Sequence, residues 1–366
     1  MTTRTVDTWI TTLAQLDAAR ERWEQLYRAD PARQVFLSWR WLRGYLAVAP
    51  AGWRIAAVRD GDDLVAAVPL QLRGVPHRRF PIARELAFAS EPVGDYQGLL
   101  CLPQRERDAL PRLAALIRQL SWDRASLRDV ADERVGTILG MLERDGAEVV
   151  PAGQTRCLRT ALPPTWEAFR ATMSRKTRYQ TDYTLRRLGE QLPNFRVSVA
   201  GDADVDAHVD AIVRVNHARW GGNLRSAYAR FGRLFRATYD RGCLRLHVLW
   251  DGAEPIGGAA SFTDAGTNAY SLFQLAYHPA YARYSPGKAA LAVALRDAVE
   301  SGFATFDFLR GDEDYKASYA HDAVITRHYG VRRRVIRSVL YDIVQPSYRS
   351  LKGVAARVVY GPGRTV

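Results

Sequence analysis

NAYSLFQLAYHPAYARYSPGKAALAVALRDAVESGFATFDFLRGDEDYKASY, residues 268–319, reads as strand, glycine-containing loop, helix and strand. Residues 268–277 have the aromatic, apolar make-up of a buried strand, and His278-Pro279 interrupts them. Ser285-Pro286-Gly287-Lys288 then opens a helix over about 287–301 that carries small apolar residues on nearly every face. Gly302 stops it, and residues 303–309 alternate as a second strand. A helix N-terminus approached through Gly and Lys offers backbone N–H groups and positive potential to an anion. Ser285, Gly287 and Lys288 are therefore candidates for a phosphate or pyrophosphate seat, with ordinary helix capping as the alternative. Asp307, Asp312, Tyr315 and Lys316 follow within one strand and its exit loop, an ionisable cluster where loops carry chemistry.

Working outward, 366 residues suffice for two domains, with the composition of a globular protein. No signal peptide and no run long enough to cross a bilayer is expected. Cys101, Cys157 and Cys243 are few, odd in number and widely spaced, which suits a reducing cytoplasm and forms no metal-ligand pattern. The formal charge of +13 calls for an acidic partner, or belongs to a solvated basic surface.

The flanks carry a repeat. Helices are expected over 16–28 and 36–48, the second with Ser38 as cap; Trp39, Trp41 and Tyr45 fit either a pocket lining or the core. A hairpin over 53–73 turns at Asp60-Gly61; a basic loop (74–80), a strand (96–102), a helix (105–120) and a strand (125–130) follow. Helices over 204–220 and 229–239 and a hairpin over 244–262, turning at Asp251-Gly252, repeat that order. The expected fold is α/β, with mixed sheets and helices on their faces: a first lobe over 1–160 and a working lobe over 161–335. Where the second lobe has Ser285-Pro286-Gly287-Lys288, the first has Leu102-Pro103-Gln104-Arg105, without a glycine for close backbone approach. A basic helical insert, 165–192, fits a nucleic-acid contact, a solvated face or the rim of a phosphate-bearing ligand. The tail, 336–366, is basic; an interfacial helix is one reading, and short helices packed back on the body, broken at Pro346, the favoured one.

YSPGKAAL and FDFLRGDEDYK, with NHARW, FLSWRWLRGYL and the DGDDLVAAVPL hairpin, resemble the CelD/BcsL-like acyltransferases of the GNAT superfamily, related in architecture to the tandem-GNAT Fem aminoacyltransferases. The resemblance spans about residues 16–335. It implies two tandem GNAT-like lobes, the second catalytic, and transfer of an acyl group from a thioester to an amine or hydroxyl. The implied donor is acyl-CoA or an acidic acyl carrier protein, without a metal; the acceptor is a small molecule, sugar or peptide. The family's pyrophosphate loop falls on Tyr284, Gly287 and Ala289, with tyrosine where Gln or Arg is usual, which leaves room for a carrier protein or aminoacyl-tRNA as donor. A non-catalytic binding protein of the same fold is the reading from another class.

Thioester aminolysis needs a polarised carbonyl, a base and a protonated leaving sulfur. Backbone amides of Gln274, Leu275 and Ala276 are the candidate polarisers. Imidazoles titrate near neutral pH, which makes His217 a candidate base. Asp307 is a second, or a structural partner of Arg310 or Lys316. Lys316 is placed to hold phosphate or an oxyanion, and Tyr315 to protonate the sulfur, with Tyr277, Tyr281 and Tyr284 as alternatives.

Overall fold

A computed structural model describes residues 5–76, 81–220 and 225–344. Part of the basic loop and most of the tail, residues 77–80 and 345–366, lie outside them.

The first half runs β1 (Thr5–Ile10), α1 (Leu13–Ala18), α2 (Arg20–Ala29), α3 (Trp39–Val48), β2 (Trp53–Asp60), β3 (Asp63–Pro76) and β4 (Pro81–Phe88). It continues with β5 (Leu100–Cys101), α4 (Glu106–Gln119), β6 (Arg124–Val130), α5 (Glu133–Arg144) and β7 (Glu148–Ala161). The insert forms α6 (Trp166–Thr172) and α7 (Arg175–Gln191). The second half repeats the plan with β8 (Phe195–Val199), α8 (Val205–Trp220), α9 (Arg225–Tyr239), β9 (Leu244–Asp251), β10 (Glu254–Asp264) and β11 (Ala269–Tyr277). It closes with α10 (Pro286–Glu300), β12 (Thr305–Arg310), α11 (Asp314–Ala317) and β13 (Asp322–Arg332).

Local signals explain many boundaries. Ser38 caps α3, its side chain accepting the Trp41 amide. Gly61 and Gly252 take φ of 60° at the tips of the two hairpins, the left-handed backbone a tight turn needs. Two expectations change, and one of two open readings is decided. The expected helix over 16–28 is two helices, α1 and α2, meeting at Ala19. The strand follows the basic loop, as β4, whereas most of 96–102 is irregular: Tyr96 takes φ of 52°, and only Leu100–Cys101 pair, with β3. Trp39, Trp41 and Tyr45 are core: Trp41 stacks on Tyr45 at 5.1 Å and meets the edge of Phe262, from the other half, at 5.8 Å. α3 and α9 cross so closely that a Cβ on Gly44 would lie 2.9 Å from the Ala237 carbonyl oxygen.

The strands join in one mixed sheet ordered β1-β2-β3-β4-β6-β13-β7-β12-β11-β10-β9-β8. Its centre is an exchange. β13, from the end of the second half, lies between β6 and β7, and β7 of the first half pairs with β12. Because each half completes the other's sheet, their loops are held in one frame.

Among the described residues two strand pairs run parallel, each joined through a helix as parallel strands require. β4 and β6 align only at Glu85–Arg124 and Leu86–Ala125; β11 and β12 align from Ala269–Thr305 to Ser271–Asp307. Beyond those points both pairs part.

Candidate active site

The parting of β11 and β12 has a local cause. Asp307 Oδ1 accepts the Leu309 amide at 2.7 Å, and Leu309 takes φ of 56°, so β12 turns away just after its last partner on β11. β11 continues to Tyr277, bonded on its other side to β10 with a bulge at Phe273, between the Ser261–Leu272 and Ala260–Gln274 pairs. The His278 amide donates to the Ile256 carbonyl at 2.9 Å. Antiparallel ladders alternate, so the Ala276 and Gln274 amides also point to β10, and those of Leu275 and Tyr277 face the opening. Of the three amides expected from sequence as carbonyl polarisers, geometry leaves Leu275.

A cleft of about 210 Å³ occupies the opening, large enough for a reacting centre but not for a whole nucleotide carrier. β11 lines it from Leu272 to Leu275, and Phe308, Leu309, Arg310, Glu313, Tyr315 and Lys316 form the facing wall. α8 contributes Trp220, and Asp95 reaches in from the first half.

Among the described residues, the corresponding gap of the first half is closed. Residues 89–97 fill the gap between β4 and β6: the Glu91 carboxylate accepts the Arg128 amide at 2.9 Å, and Gln97 forms a parallel bridge to Val130. This plug also reaches the other half. The Tyr96 hydroxyl donates to Asp307 Oδ2 at 2.7 Å, and Asp95 Oδ2 accepts the Arg310 amide at 3.0 Å. Arg310 lies between two buried carboxylates, with Nε 2.6 Å from Asp95 Oδ1 and Nη1 3.1 Å from Asp129 Oδ2. Asp95 Oδ1 lies against that guanidinium without hydrogen-bonding alignment, and Asp95 as a whole is buried.

Burial pushes Asp95 up to about 6 against the opposing pull of Arg310. Asp307 is likewise raised by burial to about 6, although the Tyr96 hydroxyl and Leu309 amide favour its charge. The partners expected for Asp307 were Arg310 or Lys316; both its oxygens are instead held by Tyr96 and Leu309. Tyr96→Phe removes one partner of a buried carboxylate, an expected loss of about 2 kcal/mol of stability at neutral pH. The loss shrinks as Asp307 protonates below about pH 6, which urea unfolding at two pH values would read.

The other candidates named from the sequence divide by position. Lys316 Nζ donates to the Arg310 carbonyl at 2.6 Å and pairs with Glu313 at 2.9 Å, which ties down the loop after β12. Tyr315 lines the cleft, and burial raises its hydroxyl well above the usual phenol range, so it keeps its proton. His217 is half-buried on α8 outside the cleft wall, while its neighbour Asn216 accepts from Gln274 Nε2 at 2.6 Å.

At α10, the amides of Lys288 and Ala289 fold back on the Ser285 carbonyl at 3.0 and 3.3 Å. Ala289 is fully buried, a packing position. Pro286 has no amide, so Gly287 is the donor that this turn leaves over. Ser285 takes φ of 55° with no side-chain cap, and a Cβ on Gly287 would lie 3.0 Å from the Tyr277 ring. Cations gather nearby: Arg283 Nη2 donates to the Tyr284 hydroxyl at 2.6 Å, Arg187 of α7 lies 5.9 Å from the Tyr284 ring, and Lys288 is exposed.

Sequence reasoning missed Asp95, Tyr96 and Trp220. The signal present was an acidic, Gly-containing run, EPVGDYQG at 91–98, in a half otherwise read as scaffold.

Residues 175–317 match the model of the acetyltransferase (GNAT) domain. No curated protein gives a significant match. Among solved structures, FemX is similar with a TM-score of 0.59 at 12% identity, covering 93% of this chain and 99% of its own. A tandem GNAT protein from the clavulanic acid biosynthesis pathway gives 0.53 at 12% identity, covering 89% and 98%. The C-terminal domain of a lysylphosphatidylglycerol synthetase from Agrobacterium fabrum gives 0.53 at 11%, covering 96% and 99%. At such identities the likeness is one of fold.

Proposed function

The chain carries a GNAT acetyltransferase domain within a tandem, Fem-like fold, and from that premise we propose that its second half transfers an acyl group from a pantetheine thioester to an amine or hydroxyl. The observation that carries this reading is the contrast between the two parallel pairs. One is filled by residues 89–97, and the other opens onto the cleft.

The donor fits the open edge. Its carbonyl oxygen accepts from the Leu275 amide, its pantetheine arm runs along β11, and its phosphates rest by Gly287, Arg283 and Lys288. As the acceptor nitrogen or oxygen attacks the carbonyl carbon, Asp95 takes the acceptor's proton. The carbon–sulfur bond then breaks, and Tyr315 protonates the departing sulfur. Asp95 suits the base role better than Glu313: Glu313 is held below its ordinary range by the Lys316 ammonium, while Asp95 is raised. Asp307 and Lys316 act as positioning residues, the first through Tyr96 and the second through the Arg310 carbonyl. The acceptor enters beside Trp220, between the halves.

Native mass spectrometry with acyl-CoA, acylated carrier protein and charged tRNA, followed by thiol release on adding amines, tests the reading. Retention of a pantetheine thioester with acceptor-dependent thiol release is expected; no retention and no release sinks it. Replacing Arg283 and Lys288 together by Ala is expected to raise the donor KM about three- to tenfold with kcat unchanged, since exposed charges contribute only about 0.5 kcal/mol each.

A second donor, aminoacyl-tRNA, is favoured by one observation. α7 turns Thr177, Thr181, Thr184 and Leu188 inward and leaves Arg175, Lys176, Tyr179 and Arg186 exposed, a basic face beside the cleft-bearing half. Strongly salt-dependent retention of tRNA in the same experiment would select it.

A further inference from the structure

After β13, residues 336–344 form a last helix, packed against the first half in an inverted sense. Its inward side is polar and aromatic. Ser338 is fully buried and donates to the Asp123 carbonyl at 2.7 Å, and Tyr341 is covered by the Arg124 guanidinium, 4.1 Å from its ring centre. Arg337 Nε donates to the Ile82 carbonyl at 3.1 Å, and Asp342 pairs with Arg124 at 2.8 Å. The outward side is apolar: Ile336 is 77% exposed, Ile343 66%, Val339 55% and Leu340 48%. Positions 336, 339, 340 and 343 make one stripe at helical spacing, the stripe a globular protein ordinarily buries.

We propose that this helix is a peripheral membrane-docking surface for bilayers rich in anionic lipid. Charge chooses the occupant. Arg334 and Arg337 stand exposed beside the stripe, Arg337 with its Nε donating to the Ile82 carbonyl of β4. Beyond Asp342 the chain carries Arg349, Lys352, Arg357 and Arg364 and no acidic residue. An apolar stripe flanked by cations matches the boundary between acyl chains and anionic headgroups. A second copy on the same face would bring these cations against their counterparts, which opposes pairing. The helix is too short to span a bilayer, and among the described residues none is long and apolar enough to do so; this one lies in the surface plane. The surface uses no residue of the cleft, so it stands independently of the acyl-transfer reading.

The test is co-sedimentation of the full chain with vesicles of phosphatidylcholine alone and with added phosphatidylglycerol. Binding only to the anionic vesicles, weakened by salt, is expected. Replacing Ile336 and Ile343 together by Asp is expected to reduce the bound fraction about tenfold with an unchanged melting curve, because both side chains already face solvent. Arg334→Glu, also on an exposed side chain, is expected to reduce it less. The proposal is overturned by failure to bind either vesicle, by binding that the double variant leaves intact, or by a dimer in sedimentation velocity that the double variant dissociates.

Discussion

Asp95→Asn is expected to lower kcat/KM by about 10²- to 10⁴-fold, the usual effect of removing a general base. Asn preserves the side chain's shape, so the plug that carries it should hold its course. Arg310 keeps Asp129 as a partner at 3.1 Å, so stability should change far less than activity. The two measurements together separate a base from a structural carboxylate. pH supplies a further check. A base works only when ionised, and burial sets Asp95 at about 6. Wild-type kcat/KM is therefore expected to fall about tenfold per pH unit as pH drops through that value. The residual activity of Asp95→Asn should lack this limb. If variant and wild type share both the rate and the acid limb, Asp95 is not the base.

Leu275→Pro is expected to cost about 10²- to 10³-fold in kcat, the range found when one oxyanion donor is lost. Proline removes a backbone N–H that faces an open edge, so no ladder bond is lost, and with it a half-buried leucine side chain at the margin of the core. The register puts the Leu275 amide on the open side of β11 and the Ala276 amide in the ladder with β10. The same substitution one residue on, Ala276→Pro, is expected to unfold the sheet locally at about 3 kcal/mol, with Ala276 fully buried besides. A folded but nearly inactive Leu275→Pro beside a destabilised Ala276→Pro would support both the register and the donor assignment. Equal destabilisation of the two, or full activity of Leu275→Pro, would remove the amide from the mechanism.

Much of the frame was legible locally. The change of period from alternation in 268–277 to small-residue helix and back to alternation located β11, α10 and β12 within a few residues. Asp60-Gly61 and Asp251-Gly252 marked the two hairpins, because tight turns require a left-handed backbone that glycine adopts freely. Ser38 announced a helix start by chemistry that acts over three residues. Such signals act between near neighbours, and the repeat they traced led to the tandem plan.

The site itself depended on contacts that no local pattern carries. Tyr96 meets Asp307 across 211 residues of chain, and Asp95 meets Arg310 across 215. Reading 96–102 as a strand hid this, because what shapes that run is the gap it fills between β4 and β6. The exchange of β7 and β13 was equally out of reach: strand pairing is a choice of partner, and the side-chain period of either strand fits more than one neighbour. Sequence alone thus determined the elements, their order and their duplication, since short-range sterics and hydrophobic periodicity govern those. Which parallel pair stays open, which carboxylate enters it and which amide faces it were decided by tertiary structure. Burial, register and long-range packing exist only once the two halves complete each other's sheet.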